Sequence, residues 1–257
     1  MKKVFILSML AVLLVLQGNL YAAEEGLGIE FGADIAVNSK YLWRGIEFNE
    51  DPVFQPDVWV SFKGFSAIIW GNMELSNVYN DHGEEGEAGD FTEVDYILDY
   101  SGSFKKINYS VGWLYYDFPH TGFTDTHEAY IAMGYDCFLA PTFTLYRDLR
   151  ANDGYYLTFS ISHDIELKKL LNSTLSTSAA VGCASKRMTR YYYGERKEAV
   201  TDSLISASLT IPITDNISII PAVNYSALLD GGIRDDNIAD KDDNLWFGVN
   251  IALSFGI

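Results

Sequence analysis

Large apolar side chains occupy alternate positions through most of this chain. Odd-numbered residues carry them at Leu27, Ile29, Phe31, Ala33, Ile35 and Val37, then at Phe65, Ala67, Ile69, Met73 and Leu75, then at Ile107, Tyr109, Val111, Trp113 and Tyr115. The same parity runs through Ala129, Ile131, Met133 and Tyr135, then Leu139, Phe143 and Leu145, then Tyr155, Leu157, Phe159 and Ile161. It continues in Leu175, Ala179 and Val181, in Ile205, Leu209 and Ile211, in Ile217, Ile219, Val223 and Tyr225, and in Phe247, Val249, Ile251, Leu253, Phe255 and Ile257. Two segments use the even positions instead: Phe54, Val58, Val60 and Phe62, and Val94, Tyr96, Leu98 and Tyr100. A period of two means strands with two unlike faces. Each segment has about ten residues, the length a tilted strand needs to cross a bilayer.

The connections alternate as well. Short ones fall at 63–64, 101–106, 136–138 and 212–216, and longer ones at 47–53, 76–90, 117–125, 186–202 and 230–244, with 147–153 a shorter member of the second set. The connection at 163–174 breaks the pattern and reads as a short inner helix or as two longer strands. Short turns at one end and long loops at the other are the habit of outer-membrane barrels. The expected fold is therefore all-β, an antiparallel up-and-down transmembrane β-barrel of about twelve strands. Pro56, Pro141 and Pro221 cannot donate to a ladder, so Pro56 and Pro141 are expected near membrane rims and Pro221 at a bulge.

Lys2 and Lys3 precede an apolar run from Val4 to Leu16, and Tyr21-Ala22-Ala23 follows. This is the layout of a secretory signal peptide, cleaved after Ala22 or Ala23. Residues 1–22 are read as that peptide and 23–257 as the barrel, placed in the Gram-negative cell outer membrane with both termini periplasmic. The chain carries 18 Lys and Arg against 35 Asp and Glu. Such a surface repels nucleic acid. Cys137 and Cys183 fall at opposite ends of the strand pattern, too far apart for a disulfide, so two free thiols are expected.

If the apolar parity faces lipid, the other parity lines a lumen. Glu30, Asp34, Asp57, Glu93, Asp95, Asp99 and Glu128 fall there, with few bases, Lys40 and Arg44, to offset them. These carboxylates and Arg44 are the expected pore-lining residues; a carboxylate-rich lumen favours cations. The alternative is that the acids pair with Lys40, Arg44 or Arg147 inside a plugged barrel. Trp59, Trp70, Tyr116, Tyr130, Tyr146, Tyr156 and Trp246 share the inner parity and are read as filling volume.

Among the long connections, 81–90 (DHGEEGEAGD) and 235–244 (DDNIADKDDN) are acidic. Their oxygens suit calcium, yet neither has the ordered spacing of a dedicated loop, so no cofactor or metal is expected. Lys186, Arg187, Arg190, Arg196 and Lys197 surround three tyrosines, and this segment is read either as a lipopolysaccharide contact or as a mobile basic loop.

The stretch Val37-Asn-Ser-Lys-Tyr41-Leu-Trp43-Arg44-Gly45-Ile46, then Pro52, Gln55 and Trp70, resembles the opening of the TorF-like outer-membrane porin family. Residues 109–116 and 153–157 also look like that family, and the likeness is strongest across 37–72. The resemblance implies an outer-membrane barrel and no particular substrate. It singles out Arg44, which is expected to pair with Asp57 on the neighbouring strand, to set the electrostatics of the mouth, or to play a structural role in the first hairpin. The terminal residues 250–257, from Asn250 to Ile257, resemble the signal read by the barrel-assembly machinery, an expected partner alongside outer-membrane lipid, although Ala252 and Ile257 depart from it.

The expected function is a porin-like channel for passive diffusion of small polar solutes or cations through a narrow acidic lumen. The alternative is a closed barrel acting as an assembly or adhesion partner through its loops. An outer-membrane hydrolase is disfavoured, because His82 and His120 fall in loops while His127 and His163 carry the apolar parity, away from Ser160 and Ser162.

Overall fold

The computed structural model describes residues 27–77, 87–235 and 241–257. The signal-peptide reading of residues 1–22 lies outside them, as do most of the acidic stretch 81–90 and residues 236–240 of the other. The strands are β1 (Ile29–Asn38), β2 (Tyr41–Trp43), β3 (Ile46–Asn49), β4 (Val53–Phe62), β5 (Phe65–Glu74), β6 (Phe91–Phe104) and β7 (Ile107–Asp117). They continue as β8 (Thr126–Tyr135), β9 (Thr142–Asp148), β10 (Tyr155–Leu167), β11 (Ser173–Ala184), β12 (Ala199–Pro212), β13 (Ile217–Leu228) and β14 (Asp243–Gly256). Two short helices, α1 (Lys186–Tyr193) and α2 (Gly231–Asp235), sit in the loops.

Twelve of these strands close into one antiparallel barrel in the order β1-β14-β13-β12-β11-β10-β9-β8-β7-β6-β5-β4, while β2 and β3 form a separate hairpin. Each barrel strand joins its sequence neighbour except at the β1–β4 junction, where the hairpin is inserted, and at the closing β1–β14 pair. In that closing pair Phe31 faces Phe255 and Ile35 faces Ile251. Backbone bonds between Ile29 and Ile257, 3.1 and 2.9 Å, bring both barrel ends together at the short-turn end. Closure leaves no open sheet edge, which is what hydrocarbon demands.

The apolar parity lies outside. Phe65, Leu98, Val111, Ile131, Met133, Phe143, Ile205, Leu245 and Phe247 are all exposed on the barrel wall. Exposed aromatics gather toward both ends, with Phe62, Phe104 and Tyr135 at one and Trp113, Tyr155 and Tyr225 at the other. A water-soluble surface rarely carries so continuous an apolar belt; lipid accommodates it.

The 163–174 connection resolves as two longer strands, β10 and β11, meeting at a turn over 168–172. Pro221 sits at no bulge. The β12–β13 register is the same on both sides of it, Ser208 facing Ala222 and Ile211 facing Ile219, and only the pairs between them are missing. A missing donor opens a ladder without adding a residue. The β4–β5 ladder opens likewise around Pro56, which is fully buried. Cys137 and Cys183 are both free thiols, the first exposed at an inner turn.

Candidate functional site

The lumen is unequal along its length. On β6 the inward side chains of Glu93 and Asp95 are buried, Asp99 is half-buried, and Ser101 and Ser103 are exposed. The short-turn end is thus open to solvent and the long-loop end is filled. What fills it is the β2–β3 hairpin.

The hairpin turns on Arg44 and Gly45, with φ of 50° and 81°. Positive φ at both central residues is the two-residue turn that matches strand twist. Gly45 is also required by space, because a Cβ there would lie 2.7 Å from the Leu228 side chain and 2.8 Å from Asp202. Arg44 has no such licence, and a non-glycine residue in this region costs about 1–2 kcal/mol. Its side chain supplies the compensation.

Arg44 reaches the wall opposite the junction it starts from. Its two terminal nitrogens donate to the two carboxylate oxygens of Glu128 on β8, at 2.8 and 2.7 Å. Its guanidinium lies over the rings of Tyr156 on β10 at 4.1 Å, Trp43 at 4.2 Å and Tyr146 on β9 at 4.9 Å. Tyr116 donates to the same Glu128 at 3.0 Å. Glu128 is 1% and Arg44 7% exposed, so neither charge could be left without the other. Burial alone would push the guanidinium pKa down, but the Glu128 charge and its hydrogen bonds raise it above its ordinary value, so Arg44 is charged.

Two further anchors hold the hairpin. Tyr41 donates to Glu93 at 2.7 Å. Asn49 donates to Glu74, which ends an amide ladder running Asn38 to Gln55 (2.7 Å), Gln55 to Asn72 (2.9 Å) and Asn72 to Glu74 (2.9 Å). From above, Tyr193 of α1 donates to the Arg44 carbonyl at 2.7 Å. Ile46, Tyr193, Leu228 and Ile233 form a small apolar core over the mouth.

The predicted lumenal residues are therefore placed as follows. Arg44 is not paired with Asp57. The strand ends at Asn38, which carries residue 44 off the wall and across the lumen to Glu128. Asp57 instead faces Asp34 across β1–β4, then Trp70, and Trp70 faces Asp95. This register puts three carboxylates in one row just inside the hairpin. Like charges directly opposite destabilise a sheet, and Asp57 Oδ1 and Asp95 Oδ1 are buried without a hydrogen-bonding partner. Asn250 donates to Asp34 at 2.5 Å. Asp99 accepts from Tyr130 further down the lumen, and Glu30 lies exposed at the open end.

Asp148 lies opposite Glu128 in the β8–β9 register, on the same face of the wall. It is fully buried and accepts from the backbone of Arg150, Asn152 and Asp153 at 2.9–3.2 Å, which shapes the β9–β10 turn. Within the segment at 186–197, residues 186–193 form α1 with Met188, Thr189 and Tyr193 buried. Lys186, Arg187, Arg190 and Arg196 are exposed, Arg187 pairs with Asp153, and Lys197 bonds Asp230 at 2.5 Å. That contact holds the Asp230 carboxyl below its usual pKa.

The hairpin was missed in the sequence because 37–46 carries strand-like alternation throughout. The available signal was Arg44-Gly45 between Tyr41, Trp43 and Ile46, Phe48, a two-residue turn between two short alternating arms.

Inner-face packing makes one stability prediction. A Cβ at Gly182 on β11 would collide with the Tyr156 hydroxyl and the Asp202 carboxylate, which are bonded to each other at 3.0 Å. Gly182→Val is expected to destabilise the barrel by about 1–3 kcal/mol. The check is a lower midpoint temperature for loss of the folded band in a heat-modifiability gel.

Residues 22–144 match the model of a family described as a bacterial protein of unknown function, Gcw_chp. That span contains the 37–72 stretch but does not confirm the TorF-like name. No curated protein matches the chain. Several solved structures share the fold. The NanC porin is 12% identical, with 88% of this chain and 100% of that one covered and a TM-score of 0.51. The KdgM porin in complex with disordered oligogalacturonate is 11% identical, with 88% and 99% covered and a TM-score of 0.52. An outer membrane channel from Pseudomonas putida F1 is 5% identical, with 93% and 98% covered and a TM-score of 0.52. At these identities the likeness is one of fold, the twelve-stranded closed barrel of outer-membrane channels.

Proposed function

We propose that this protein is an outer-membrane channel for small cations, closed at its long-loop end by a hairpin that Arg44 clamps. The observation that carries the reading is the carboxylate row of Asp34, Asp57 and Asp95 beneath the hairpin, where two buried carboxylate oxygens have no partner. A structural interior would pair such charges; a path for cations needs them unpaired. The fold shared with porins supports conduction, and the open short-turn end supplies one mouth. The KdgM porin holds an oligogalacturonate, a polyanion. The acidic lumen here opposes such a cargo by simple repulsion.

In this reading the short turns and both termini face the periplasm, and the exposed Lys186, Arg190 and Arg196 stand where lipopolysaccharide phosphates lie. Residues 250–257, which include the second half of the closing strand, would be what the barrel-assembly machinery reads. Recording from the refolded chain in a planar bilayer tests conduction. Brief discrete openings are expected. A silent bilayer from demonstrably folded protein, together with silence from the Arg44→Ala variant, would overturn the channel and favour a closed barrel that works through its loops.

A further inference from the structure

Beneath the hairpin the lumen widens into a cavity of about 340 Å³. Its walls are largely aromatic and apolar, including Trp43, Tyr116, Tyr156 and Trp246. Two carboxylates, Asp95 and Asp202, line it, and Arg44 forms part of its roof. The three charges are not equally engaged. Arg44 is neutralised by Glu128, and Asp202 accepts from Tyr156 at 3.0 Å and Thr201 at 2.6 Å. Asp95 is only 7% exposed and its side chain meets that of Glu93, which accepts from Tyr41, while its Oδ1 has no hydrogen-bonding partner. A buried acceptor left unsatisfied costs about 1–3 kcal/mol, so the cavity presents an unmet demand for positive charge.

We propose that this cavity is a binding site for a small organic ammonium ion, with Asp95 as counter-charge and the indoles of Trp43 and Trp246 as its walls. The proposal deepens the channel reading, on whose site it rests, by naming the class of cation. A metal ion is the poorer fit. Among the described residues no group of three or more His, Cys, Asp or Glu side chains is arranged to hold one, whereas hard cations take about six or more oxygens. A weakly hydrated organic cation needs less. One carboxylate and aromatic faces suffice, because ring quadrupoles attract positive charge and apolar walls accept the alkyl groups. Arg44 itself shows that these walls hold a cation, lying over Trp43, Tyr156 and Tyr146. The size agrees, since small-molecule sites start at about 300 Å³. The short-turn end of the lumen is open to solvent along β6.

The test titrates the full-length folded barrel in detergent micelles with tetramethylammonium chloride, replacing potassium chloride at constant ionic strength, by calorimetry. Saturable binding is expected, absent for tert-butanol, a neutral molecule of similar shape. Asp95→Asn is expected to weaken binding at least tenfold. Tetramethylammonium binding no better than potassium, equal binding of tert-butanol, or an Asp95→Asn barrel that binds like the parent would each overturn the proposal. If Asp95→Asn fails to fold, the comparison of the charged and neutral probes on the parent chain decides alone. Bilayer recordings separate this site from the channel. Binding with a silent bilayer leaves the site and removes the channel; conduction without binding does the reverse.

Discussion

The Arg44→Ala barrel is expected to conduct far more than the parent. The hairpin's hold on the far wall is concentrated in one side chain, which makes two charge-assisted bonds to Glu128 and lies over three rings. Breaking a buried ion pair by removing one partner costs about 3–5 kcal/mol, mostly because the other charge is stranded. Here the stranded charge, Glu128, can be relieved by letting water in, which means lifting the hairpin. The same energy shifts the ratio of released to seated hairpin by roughly two to three and a half orders of magnitude. The strained turn adds to this, since a φ of 50° at a non-glycine residue costs about 1–2 kcal/mol that the lost contacts no longer offset. The twelve barrel strands do not depend on the hairpin for their ladder, so the folded band on a gel is expected to persist. Single-channel recording reads the outcome as longer and larger openings. An unchanged current from a folded Arg44→Ala barrel would show that the hairpin is not the barrier.

The second large effect belongs to the carboxylate row. With Asp34, Asp57 and Asp95 all changed to Asn in the Arg44→Ala background, preference for potassium over chloride is expected to fall at least tenfold. Each charge about 4 Å from a passing ion is worth about 1 kcal/mol even in a water-like dielectric, and more where water is partly excluded. Three in one register row act on the same short length of lumen. Substituting Glu30, which lies exposed at the wide open end, is expected to do much less, because the surrounding water screens it. The reversal potential under a potassium chloride gradient measures both. Equal shifts from the two substitutions, or none from the triple one, would remove the row from any role in selectivity.

How much of this could be read in the sequence depends on which forces set each part. The barrel wall was legible because lipid-facing residues alternate without exception over long runs, as in Ile107 to Tyr115, and the register then follows from short turns such as Lys63-Gly64. The same parity groups Asp34, Asp57, Glu93, Asp95, Asp99 and Glu128 on one face, and the register keeps them on one side of the wall. Pairing inside the lumen was not. Parity says which face a residue takes, but contacts across a barrel join residues far apart in sequence, such as Arg44 and Glu128 or Tyr41 and Glu93. The hairpin escaped because its arms alternate like the strand before it. Helix α1 escaped because its buried Met188 and Tyr193 sit among the bases that made the segment read as a loop.

A lumen lined by carboxylates should pass positive charge in preference to negative. Unmodified protein, refolded and placed in a planar bilayer between unequal concentrations of potassium chloride, gives the direct answer through the voltage at which its current vanishes. A value close to the potassium equilibrium potential is the result expected. A value near the chloride potential, or no preference at all, would contradict it.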